Sequence, residues 1–183
     1  MTTSPSSATG LRSSTLGLIL AVLTMLFGQG MGIVFGANED AIKDRLKDSA
    51  AEVRITIYHG EDAAIKAVLD KSWAYMKRSH LHAGGMGTSA LALTLLVGML
   101  GVSRWVNTAI GVALGAGGLG YSIFWMWAGF RAPALGSTAA AKHSLEWLAI
   151  PSSAAFVLAT LAVLVLLVAH FIRLLLRRQP AAP

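Results

Sequence analysis

LGLILAVLTMLFGQGMGIVF, residues 16–35, is an apolar run without a single charge. A helix needs about 20 such residues to cross the hydrocarbon core of a bilayer. The run exceeds the ~7–15 residues of a secretory signal core, and no small-x-small cleavage site closes it, so it is read as a retained first span over 15–36. Gln29 is its one strongly polar side chain and is expected to hydrogen-bond across a helix interface. Gly28, Gly30 and Gly32 let a neighbouring helix approach closely.

Working outward, the same pattern recurs. Further apolar blocks cover 84–103, 106–130 and 143–176, with a short turn carrying Arg104 between the second and third. The fourth block is longer than a crossing requires, so either it protrudes or tilts, or Pro151 divides a membrane-surface turn from the true span. Gly111, Gly115, Gly118 and Gly120 leave one side of the third block nearly bare, the pattern of backbone-to-backbone helix packing. The predicted fold is an all-α integral membrane protein, a bundle of four transmembrane helices.

Composition agrees. Of 183 residues, 55% are hydrophobic and 13% charged, against about 25% charged in an ordinary soluble domain. The net charge of +6 does not read as nucleic-acid binding, because no basic stripe interleaved with aromatics exists. The cations fall near block ends, where anionic lipid headgroups account for them. Cysteine is absent, so any metal must be held by His, Met, carboxylate or backbone groups.

The Ser/Thr-rich stretch 1–14 and the Arg/Pro-rich end 177–183 read as tails, the first of them disordered. The polar segment 37–83 is expected outside the hydrocarbon and partly helical. Asn38 can cap a short interfacial helix whose first turn holds Glu39 and Asp40, with Ile42 and Leu46 on one face. Val53, Ile55 and Ile57 then alternate with polar residues, a brief strand-like signal before the turn at His59-Gly60. A helix is predicted to start near Asp62, and residues 131–142 read as a loop.

Four crossings put both termini on one side. Arg12, Arg104, Arg173, Arg177 and Arg178 favour cytoplasmic termini in a bacterial-type plasma membrane, with 37–83 outside. The raw Lys and Arg count runs the other way, since 37–83 and 131–142 together hold more of them.

Three of the five histidines, His80, His82 and His143, fall where the second and fourth spans enter the bilayer on the polar side. Histidine is the commonest metal ligand, and polar groups at membrane depth are expensive unless satisfied or used. In an unbroken helix His80 and His82 lie about 200° apart, whereas an extended chain before Gly84 would let them chelate together. Two site chemistries fit. Haem b would take His82 and His143 as axial ligands with His80 as substitute, relieved by Gly84 and Gly85, its propionates met by Arg78, Lys77 or Arg131. Alternatively, His80, His82, His143 and Glu146 would bind a copper, iron or zinc ion. A third reading leaves the histidines bonded to backbone and headgroups, with Glu146 paired to Lys142 four residues before it. His59 reads as a turn residue and His170 as interfacial at the far end of the fourth span.

The functional expectation is a haem- or metal-binding membrane protein in electron transfer. It would serve a quinone or an extracytoplasmic redox partner, or act as a subunit of a respiratory-type complex. The alternatives are a cofactor-free structural or assembly subunit, joined to other subunits or to itself, and a small metal-dependent oxidase or oxygenase. No catalytic triad, phosphate-cradling loop or metal motif of fixed spacing is present.

Overall fold

The computed structural model describes the backbone of residues 7–177 and the side chains of 12–176. The chain is all-helical there: α1 Ser7–Ala51, α2 Asp62–Met99, α3 Arg104–Leu135, α4 Thr138–His143 and α5 Glu146–Arg177. Four of these, all but α4, are long and apolar enough to cross a membrane. Helix α1 occupies part of the expected tail 1–14, and residues 178–183 of the other tail lie outside the described residues.

The long helices outrun the hydrocarbon. With 45 residues in α1 and 38 in α2, a rise of about 1.5 Å per residue makes each far longer than the ~30 Å core of a bilayer. The surplus lies at the polar end, so 37–83 is two helical extensions joined by a tight turn. Asn38 marks the junction in α1: its backbone is non-helical there (φ −133°, ψ 28°), and its side-chain amide donates to the Val34 carbonyl at 3.3 Å. The capping residue thus stands where predicted, but its amide bonds backward. Leu46, 2% exposed, and Ala50 are the buried residues of this extension, and Ile42 is half-buried.

The strand-like signal at 53–57 forms turns instead. A lone strand has no ladder to join, so its backbone groups bond locally: Ile57 N–H donates to the Val53 carbonyl at 2.9 Å and Glu61 N–H to that of Tyr58 at 2.9 Å. His59 (φ 51°) and Gly60 (φ 80°) close the turn in the left-handed region, and α2 starts at Asp62 as predicted.

Two boundaries differ from expectation. The predicted loop 131–142 is largely helical. Helix α3 runs on to Leu135 and stops at Gly136 (φ 62°), then Ser137 caps α4 by accepting from Ala140 N–H at 3.2 Å. Pro151 divides nothing, because α5 passes through it and the break falls at Ser144–Leu145.

Helix α3 is central, packing against α1, α2, α4 and α5, while α5 touches little besides α3. Its glycines explain this. A Cβ on Gly17 of α1 would stand 2.6 Å from Gly111 Cα, one on Gly115 would meet Leu20 and Ala21 of α1, and one on Gly117 would meet Ser152 and Phe156 of α5. Bare backbone on several sides of one helix lets three neighbours come close, so the glycines of the third block serve packing. An apolar core of Ala21, Ala90, Val97, Ile110, Leu114 and Val163 fills the middle. At the end away from the polar segment, Asn107 donates to Ser13 Oγ at 2.6 Å and to Ser14 Oγ at 3.0 Å, tying the start of α3 to α1.

Candidate functional site

Helix α2 runs unbroken through Gly84, Gly85 and Gly87, so successive side chains turn about 100° and His80 and His82 face different neighbours. His80 looks at α1. Its Nδ1–H donates to the Gly28 carbonyl at 2.7 Å, and its ring lies over Gly32, where a Cβ would stand 2.8 Å from Cε1. That hydrogen bond fixes the tautomer, leaving Nε2 with the lone pair.

His82 looks at α3. Its ring centroid lies 5.1 Å from that of Tyr121, edge-on, and 6.1 Å from that of Trp125, stacked. The two histidines therefore cannot chelate one ion together.

His143 ends α4 with its side chain 83% exposed, and its Nε2 stands 3.9 Å from a Glu146 carboxylate oxygen. The expected Lys142–Glu146 pair does not form. The helix breaks at Ser144–Leu145, so the i,i+4 register is lost, and Lys142 instead turns its Nζ toward the ring of Tyr75, 6.0 Å from the centroid. Among the described residues, no three His, Asp or Glu side chains gather where one ion would be held. The set of His80, His82, His143 and Glu146 is dispersed.

Arg78 packs its guanidinium over aromatic faces, 5.1 Å from the Trp125 centroid and 5.6 Å from that of Tyr75. Tyr75, Phe124, Ala128 and Leu145 form a second buried cluster beneath it, with Tyr121 and Trp125 packed on. Trp127 and Trp147 pair nearby at 6.5 Å. This ring of Tyr and Trp with adjoining cations is the arrangement found at a membrane–water boundary. Gly84 and Gly85 are exposed, with nothing within 4 Å of where a side chain would begin. Gln29 departs from expectation: it faces outward and makes no interhelical hydrogen bond. His59 is the exposed turn residue foreseen, and His170 is exposed near the end of α5.

Beyond the aromatic ring the extension of α1 and Phe130 of α3 line a groove of about 890 Å³, in which Ile42, Leu46 and Phe130 are joined by the charged Arg45, Asp48 and Glu52. Sequence periodicity found Ile42 and Leu46 but not Phe130, which comes to the groove from the predicted third span through the packing of α3 against α1. The aromatic cluster was likewise missed as a unit, since its members come from three separate helices. Comparison with protein-family models, with curated proteins and with solved structures returned no match.

Proposed function

We propose that this chain is a four-span subunit of a larger plasma-membrane assembly, with cytoplasmic termini and a partner-binding platform on the outer face. The observation that carries this is the length of α1 and α2. Ordering helical turns beyond the bilayer costs conformational entropy and contributes nothing to crossing it. Here the extension of α1 and Phe130 of α3 line a groove in which Ile42, Leu46 and Phe130 stand among Arg45, Asp48 and Glu52, a mixed surface suited to an amphipathic helix of another subunit. The test is native mass spectrometry of the chain purified from its own membrane in mild detergent. One stoichiometric assembly, dispersed by Ile42→Arg, is the supporting result; a chain of monomer mass unaffected by the substitution counts against it.

A second reading, a haem-bearing subunit in electron transfer with a quinone or extracytoplasmic partner, is favoured by His80. An imidazole whose Nδ1–H is held by a backbone carbonyl presents Nε2 in the fixed orientation that axial and metal ligands use. The other haem ligand would be His143, since His82 faces α3 and cannot share an ion with His80. A visible spectrum of the purified protein decides it: a Soret band with sharp α and β bands on reduction supports haem b, and a featureless spectrum at adequate concentration removes it. A copper, iron or zinc ion held by fewer protein ligands would leave that spectrum weak and appear in elemental analysis.

A further inference from the structure

We propose that Tyr75, Arg78, Trp125 and Lys142 form a binding site for the phosphate of an anionic phospholipid headgroup. This rests on the bilayer-spanning reading above and names a ligand for that surface. The key observation is that two cations from different helices share one ring: the Tyr75 centroid lies 5.6 Å from Arg78 Cζ and 6.0 Å from Lys142 Nζ. Two like charges gathered about one ring favour an anion that can stand beside both.

Among the described residues, no carboxylate pairs with either cation. Glu146, one turn beyond Lys142, stands beside His143 instead, and Asp70 of α2 stands beside Lys66. Lys77 and Arg131 add further positive charge at this end without an ion pair among the described residues. Trp125 serves the cluster through its ring face, over which the Arg78 guanidinium stands 5.1 Å from the centroid.

A phosphodiester supplies what is lacking. It carries one negative charge and two unesterified oxygens, which suit the fork of an arginine and the point charge of a lysine. A lipid source is favoured over free phosphate by the surface alongside. Leu81, Gly85 and Thr88 follow Arg78 along one face of α2, all exposed, with Leu81 at 69% and Gly85 open, so an acyl chain has a track to lie in.

The test uses the full chain in nanodiscs of equal phosphatidylglycerol and phosphatidylcholine, released in native mass spectrometry with retained lipid counted. The expected result is one preferentially retained phosphatidylglycerol, weakened about fivefold by Arg78→Gln and about fivefold by Lys142→Gln. Lys142→Arg, which keeps the charge, and Lys66→Gln, away from the cluster, retain it. Equal retention of the two lipids, or no loss in the paired Gln variant, overturns the proposal. A third arm adds inorganic phosphate to the lipid-loaded protein. Displacement of the lipid at millimolar phosphate would assign the site to the free ion and overturn the lipid source. Failure to enter nanodiscs at all would strike the bilayer-spanning reading, an outcome distinct from insertion without lipid preference.

Discussion

The Tyr58 hydroxyl donates a 2.8 Å hydrogen bond to the Pro133 carbonyl, fastening the turn between α1 and α2 onto the last turn of α3. The same carbonyl accepts from the Gly136 N–H that closes the helix, at 3.3 Å, so its second lone pair is the one Tyr58 uses. Beside it, Ile57 packs where a side chain on Gly136 would otherwise sit. These contacts hold the tip of the platform against the helix that organises the bundle. Tyr58→Phe should therefore cost about 1 kcal/mol, and hydrogen exchange in 52–61 should accelerate while α3 stays protected.

The same bond carries a pH dependence. Burial raises the Tyr58 pKa above its ordinary value of 10.0, because the phenolate is poorly solvated there. The folded pKa lies above the unfolded one, so this stabilisation is fully present below pH ~10 and is lost as pH rises through the folded value. Hydrogen exchange in 52–61 should show an alkaline opening that Tyr58→Phe abolishes.

Close helix approach makes two glycines behave oppositely. A Cβ on Gly17 meets the backbone of Gly111 at 2.6 Å, where no side-chain rotation relieves it. Gly17→Ala should destabilise by about 1–3 kcal/mol. Gly30→Ala meets nothing within 4 Å and should be neutral or stabilising by up to about 1 kcal/mol. Thermal unfolding in detergent, monitored by circular dichroism, separates the two.

Thr94 is fully buried, and its hydroxyl has no hydrogen-bond partner. Thr94→Val keeps the shape and removes the unsatisfied group, so it should raise stability by about 1 kcal/mol. A fall of similar size in the same melting assay would mean that the hydroxyl has a partner in the membrane.

The number and order of the long helices were legible because hydrophobicity over some twenty residues is a dense signal. The start of α2 and the junction at Asn38 were legible from local polar chemistry. What stayed hidden depends on contact between distant segments. Whether His80 and His82 share a side was open in the sequence, because Gly84 and Gly85 permit either a helix or an extended chain; packing of Gly28 against Ala83 and Gly84 accompanies the helix. The gathering of Arg78 and Lys142 about the Tyr75 ring has no sequence signal, since it joins residues of α2 and α4 that lie far apart in the chain.

A fourfold crossing with the platform outside is directly measurable, because the chain has no cysteine. Single-cysteine variants Thr56→Cys, in the exposed turn clear of the groove, Thr88→Cys and Ser103→Cys would be treated, in intact cells, with a maleimide that cannot cross the membrane. Rapid labelling at 56, protection at 88, and labelling at 103 only after the membrane is opened are the expected results. Labelling of 56 and 103 from the same side, or of 88 as fast as 56, would contradict the fourfold crossing.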